Sequence, residues 1–168
     1  MIKRNFTDRS KEVIIPLYKS LVRPHLQYSC QILNPNYSKD IDLVEGVQRR
    51  ATKLITGMQT LSYDDRVKRL GLMRLNTRRL RSDLVETFKI LNGNYSIDSE
   101  KFFFEFDYDN RRGHSKKLFK RRSRLNLRKF VFGNRVIDHW NGLSDSCVNC
   151  STINNFKSKI KVELEPEL

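Results

Sequence analysis

Between Arg111 and Lys129 the sequence reads RRGHSKKLFKRRSRLNLRK, with ten Lys or Arg among nineteen residues and no acidic side chain. The stretch supplies +10 of the chain's formal +14. Charge this dense repels itself and resists burial, so any fold must leave it at a surface, screened by solvent or by a polyanion. Leu118, Phe119, Leu125 and Leu127 interrupt the charges and separate the segment from a merely solvated tail. The segment is therefore expected to be ordered, to face nucleic acid, and to be held by a helical scaffold on either side.

With 168 residues, 38% of them hydrophobic and including ten Phe and six Tyr, the chain can bury a real core. A domain of this length hides about two-thirds of its unfolded surface. The boundary is placed at the Asn92-Gly93-Asn94 turn, giving residues 1–93 and 94–168. A pI near 10.0 fits RNA, DNA or an anionic membrane surface. A scaffold role would show the same charge. Cys30, Cys147 and Cys150 are few, odd in number and unevenly spaced, which reads as a reducing compartment. The N-terminal MIKRNFTDRSKEV lacks an apolar run, and no stretch is long and apolar enough to span a bilayer. An intracellular protein, cytoplasmic or nuclear, is expected, with neither a membrane nor a small molecule as its partner.

Arg9 to Tyr28 reads as helical, with Ile14, Leu17, Leu21 and Val22 at helical spacing. Pro16 is expected in its first turn and Pro24 at its end or at a kink. From Ser38, Ile41, Val44, Val47, Ala51, Leu54 and Met58 step by threes and fours into one apolar stripe. Arg49, Arg50 and Lys53 fall off that stripe. A short helix follows from Ser62 to Leu70, stopped by Gly71. The next, Asn76 to Leu91, carries Leu80, Leu84, Phe88 and Leu91 on one face. Arg78, Arg79 and Arg81 crowd its start, where the helix dipole disfavours cations, so an anion is expected near them, with pairing to Asp83 or Glu86 as the alternative. Beyond it, Phe102 to Phe106 reads as extended. Lys117 to Phe119 and Leu127 to Phe132 are expected to pair as a small hairpin around Arg121–Arg124. Helices are expected over Asn134–Leu143 and Thr152–Leu164. The expected fold is mainly α: a helical bundle with a small basic β-hairpin and C-terminal helices.

Few residues look like chemistry. Tyr63-Asp64-Asp65 places two adjacent aspartates as metal-dependent polymerases do, yet it opens a helix, where acids favour the dipole. Cys147 and Cys150 have the spacing of half a zinc site, but no second ligand pair stands at the right spacing. His114 has no nucleophile and orienting carboxylate to serve; a phosphate contact or a structural hydrogen bond suits it better. Trp140 and Asn141 read as a core anchor and a helix-end residue. No catalytic residue, metal site or cofactor is expected.

Several phrases then add up. Leu17-Tyr18-Lys19-Ser20-Leu21-Val22-Arg23-Pro24-His25-Leu26-Gln27-Tyr28 resembles the stretch after the palm in reverse transcriptases of jockey-like non-LTR retrotransposons. Val47-Gln48-Arg49-Arg50-Ala51-Thr52-Lys53, Leu61-Ser62-Tyr63 with Arg66, and Leu70-Gly71-Leu72 are similar to later phrases of that family, in the same order. So are Arg78-Arg79-Leu80-Arg81 with Asp83-Leu84, Lys89-Ile90-Leu91-Asn92-Gly93, Arg112-Gly113-His114-Ser115, Trp140-Asn141-Gly142-Leu143 and Phe156-Lys157. Gln27, Leu33 and Ser144 depart from the family, which usually has Glu, Trp and Pro there.

The resemblance implies a thumb-like helical bundle and a C-terminal region, with the catalytic aspartates in fingers and palm outside this sequence. It implies an RNA or RNA–DNA duplex partner, and a palm and fingers half as a second one. The chain is then a nucleic-acid-binding part of an RNA-directed DNA polymerase, without activity of its own. A stand-alone basic interaction protein of retroelement origin is the alternative. The contacts expected on nucleic acid are Arg111, Arg112, His114, Lys116, Lys117, Lys120, Arg121, Arg122, Arg124, Arg128 and Lys129, followed by Arg49, Arg50 and Lys53.

Overall fold

The computed structural model describes residues 6–98, 104–108 and 113–164. Arg111, Arg112 and part of the aromatic run before Phe104 lie outside them. Regular structure among the described residues is helical, apart from one isolated antiparallel bridge between Phe106 and Leu118. The chain forms two compact units, Met1–Arg79 and Leu80–Leu168.

The first unit opens with α1 (Lys11–Leu17), a π-helical turn (Tyr18–Val22) and α2 (Arg23–Gln27). Pro16 sits inside α1, one turn later than the first-turn position expected of it. Pro24, with no amide to donate, falls in the opening turn of α2, so the wider i→i+5 turn lies between two prolines. The Ser20 hydroxyl donates to the Pro16 carbonyl at 2.8 Å. Next come α3 (Ser38–Lys53) and α4 (Tyr63–Arg69). Ser62 caps α4, its Oγ accepting from the Asp65 amide at 3.2 Å, and Asp64 pairs with Arg74. The Tyr-Asp-Asp triplet is thus a helix start. Leu75–Leu91, α5, follows and crosses the boundary between the units. Its later turns carry Leu84 and Phe88 into the second unit's core, so the compact units divide earlier in the chain than the Gly93 turn. Gly71 and Gly93 take φ of 57° and 70°, which lets Leu72 and Asn94 donate back to Val67 and Lys89 and close α4 and α5.

The interior of the first unit differs from the expected apolar stripe. The α3 side chains taken fully inside are Glu45, Gln48 and Thr52, at 7%, 1% and 1% exposure, spaced i, i+3, i+7. Ile41, Val44, Val47, Ala51, Leu54 and Met58 are only half-buried. The reason lies in what α3 faces. The Tyr18 hydroxyl donates to Gln48 at 2.8 Å, and Gln48 donates to the Tyr63 hydroxyl at 3.0 Å and the Met73 carbonyl at 3.1 Å. Tyr63 donates in turn to Glu45, whose carboxylate also accepts the Leu75 and Asn76 amides at 3.2 and 3.3 Å. Those amides open α5 and have no intrahelical partner. An apolar stripe would leave them, and the Met73 carbonyl, unsatisfied. Glu45 thus serves the free amides at the start of α5, not the arginines Arg78, Arg79 and Arg81 near which an anion was expected. Burial raises both phenols above their ordinary pKa, aided at Tyr63 by its hydrogen bond to Glu45, so both remain donors.

Arg79 and Arg81 settle on carbonyl groups. Arg79 donates to the Leu26 and Leu33 carbonyls and to the Asn34 side chain, at the C-terminal end of α2 and the turn after it. Arg81 donates to the Lys157 carbonyl at 3.1 Å. Asp83 pairs with Arg135, and Glu86 with Lys89 and Tyr95.

The second unit continues with α6 (Asn126–Lys129), α7 (Phe132–Arg135), α8 (Ile137–Asn141), α9 (Asp145–Val148) and α10 (Ile153–Leu164). Its core gathers Leu84, Phe88, Trp140, Val148, Phe156 and Ile160. Phe88 stacks on Phe156 at 4.3 Å between centroids, and Trp140 lies 6.0 Å from Phe156. The expected hairpin does not form. Lys117–Phe119 bonds to Glu105–Asp107 instead, through Asp107 N to Lys117 O at 2.9 Å and Phe119 N to Glu105 O at 2.7 Å. The would-be second strand coils into α6 and α7, because Asn134 and Arg135 take the Lys129 and Phe130 carbonyls within five residues. A tight turn at Arg121–Arg124 would also have pressed three cations together.

Cys147 and Cys150 are buried in this unit. Cys150 donates weakly to the Ser146 carbonyl at 3.6 Å, and no group of three potential ligands for a metal occurs among the described residues. Burial pushes the Cys147 thiol up to about 12, with Glu163 adding to the shift. Only the thiolate is reactive. At pH 8 a small alkylating reagent should therefore leave Cys147 unlabelled in the native chain and label it on unfolding. Peptide mapping that found it labelled equally fast in both states would contradict this burial. No helix among the described residues is long and apolar enough to cross a membrane.

Candidate nucleic-acid interface

The basic segment is fastened from below by α8. His114 is buried, with Nε2 3.0 Å from the Trp140 carbonyl and its ring edge-on to the indole. The indole Nε1 donates to the Lys116 carbonyl at 2.8 Å. Asn141 then clasps Leu118: its Oδ1 accepts the Leu118 amide and its Nδ2 donates to the Leu118 carbonyl, both at 2.9 Å. Lys120 reaches Asp138 on the same short helix. Residues 114, 116, 118 and 120 thus each meet α8, by side chain or by backbone. Gly113, at φ 94°, leaves room for the Lys117 side chain, whose Cε would lie 2.8 Å from any Cβ there.

His114 consequently belongs to the support. At 1% exposure it cannot reach a phosphate, a correction to the expected contact set. Lys116 and Lys117 are half-buried. Lys120, Arg121, Arg122, Arg124, Arg128 and Lys129 are all exposed. Two of these have acidic partners, Lys120 with Asp138 and Arg121 with Glu105. Arg122, Arg124 and Arg128 meet no carboxylate among the described residues, and Lys129 lies over the Phe130 ring at 5.7 Å. These six exposed cations fall within the ten residues Lys120–Lys129.

Arg49, Arg50 and Lys53 are exposed on α3, in the other compact unit, and the Arg49 guanidinium lies 5.2 Å over the Tyr63 ring. Sequence reasoning missed the residues that hold the segment, namely Asn141, Asp138 and Glu105.

No protein family, characterised protein or solved structure matches the chain.

Proposed function

We propose that the chain binds nucleic acid through the backbone phosphates, using the run Lys120 to Lys129, and performs no chemistry on it. The observation that supports this most is the fastening: six exposed cations that follow on a backbone held at Lys116 by Trp140 and at Leu118 by Asn141. Cations next to a fixed backbone lose less freedom on meeting phosphates than those of a mobile tail would. Such contacts carry affinity rather than base specificity, and their strength falls steeply with salt. Read with the resemblance, this is the duplex- or template-holding thumb and post-thumb part of a non-LTR retrotransposon reverse transcriptase, working with a palm and fingers that supply the aspartates. It needs no cofactor.

Replacing Arg121, Arg122 and Arg124 together by Gln tests this. Three fewer phosphate contacts should lower the slope of log K against log salt by about two for a single strand. Affinity near physiological salt should fall roughly ten- to a hundredfold. Filter binding between about 50 and 200 mM salt reads both. An unchanged slope would sink the assignment.

A second reading has its own support. Leu21, Tyr28, Ile32, Leu33, Tyr37 and Leu43 of the first unit are all more than half exposed. Large exposed apolar side chains concentrated in one stretch favour a protein partner. A salt-insensitive pull-down with no RNA present would select that stand-alone interaction role.

A further inference from the structure

We infer that the outer face of the basic segment is a stacking platform for single-stranded nucleic acid, with Phe119 as the ring that meets the base; this rests on the nucleic-acid reading above. The bridge at Phe106 and Leu118 fixes the register. Successive side chains of an extended strand point to opposite faces. Leu118 is turned inward at 1% exposure, and Phe119 outward at 50%. Lys117 and Arg121 fall in the same register as Phe119, each about 7 Å along the strand. A second contact confirms the face for Arg121: its partner is Glu105, whose carbonyl accepts from the Phe119 amide and which therefore stands beside Phe119 across the bridge. The outward face of this segment thus reads cation, aromatic ring, cation, with Glu105 and Asp107 opposite Phe119 and Lys117 across the bridge.

The ring is not spent on the core. Phe88, Phe104, Phe132 and Phe156 are buried in the second unit, while Phe119 is left at the surface between two charges. Flanking cations hold the phosphates on either side of a nucleotide, and the ring then offers a flat apolar surface at the level of its base. An unstacked base presents a free π-face to such a ring, whereas the bases of a duplex are already stacked on one another. Any aromatic contribution therefore belongs to a single strand. Because every base has a π-face, the contact carries little sequence preference.

The test compares the whole chain with its Phe119→Ala variant on a single-stranded RNA and on an RNA hairpin duplex, both probed by filter binding across a salt series. The single strand also carries 2-aminopurine. Phe119→Ala should weaken single-strand binding by about five- to a hundredfold. It should leave the duplex affinity and both salt slopes unchanged, because no charge is lost, and it should abolish the quenching of 2-aminopurine. Tyr108→Ala removes an aromatic side chain that is 85% exposed but in the opposite register, and should bind like the unaltered chain. Phe119→Leu keeps the apolar contact and loses the π-face; it should behave as Phe119→Ala does, with a native thermal midpoint. Equal loss on both substrates, or no loss on either, overturns the platform while leaving phosphate binding intact. Absence of salt-dependent binding to any nucleic acid by the unaltered chain overturns both.

Discussion

Asp83→Ala should destabilise the second unit by about 3–5 kcal/mol, the cost of leaving a buried charge without its partner. Asp83 and Arg135 are 3% and 11% exposed at their side chains, and they meet through three contacts of 3.0–3.1 Å. The planar guanidinium takes both carboxylate oxygens through Nε and Nη2, and its Nη1 donates to the Phe130 carbonyl. Removing the carboxylate strands a cation against the Phe132 ring, 5.8 Å away. The pair joins α5 to α7, fifty-two residues on in the chain. Urea titration reads the loss as a lower midpoint at unchanged slope. The double variant Asp83→Leu, Arg135→Met should recover most of it, because a packed apolar pair replaces a desolvated ionic one at little net cost. A single variant within about 1 kcal/mol of the parent chain would show that the pair contributes as little as a surface bridge does.

Trp140→Ala is expected to cost a similar 3–5 kcal/mol, from lost burial and the cavity left behind. The indole is fully buried, packs near Phe156 and donates to Lys116. Here the loss has two components that a milder change separates. Trp140→Phe keeps most of the volume and removes the donor, so it should cost about 1–3 kcal/mol by leaving the Lys116 carbonyl unpaired. It should also weaken RNA binding, because the cations at 120–129 lose one of their fastenings. Thermal melts and filter binding on the same two variants check this. If Trp140→Phe melted lower yet bound RNA unchanged, the indole would serve the core alone.

The long helices could be read in the sequence because their apolar periodicity is strong. Leu84 and Phe88 on α5, and Phe156 and Ile160 on α10, are inside as their spacing requires. On α3 the same rule misleads. Glu45, Gln48 and Thr52 look like surface residues by type; the start of α5, the Met73 carbonyl and the Tyr18 and Tyr63 hydroxyls draw in the first two, and the Arg66 side chain meets the third. Apart from the Arg49 carbonyl that Thr52 also bonds, these partners are remote in the chain and leave no local trace. Arg79 is a similar case: the helix dipole argues for an external anion, whereas carbonyls at the end of α2 supply the acceptors. The cations of the interface were visible from composition alone. Their supports were not, because Asn141 acts through its amide on a backbone twenty-three residues earlier.

That amide has a consequence for how the surface behaves in company. The backbone of Lys117–Phe119 is engaged on one side by Glu105–Asp107, through Lys117 O and Phe119 N. On the other side the Leu118 amide and carbonyl, which would otherwise form an open strand edge, are both taken by one side chain. Asn141 thus imitates a third strand one residue wide. An extended segment with an exposed phenylalanine is ordinarily a template for edge-to-edge aggregation. Here the template is closed on both sides, and the Phe119 ring stands on a backbone that no other chain can extend.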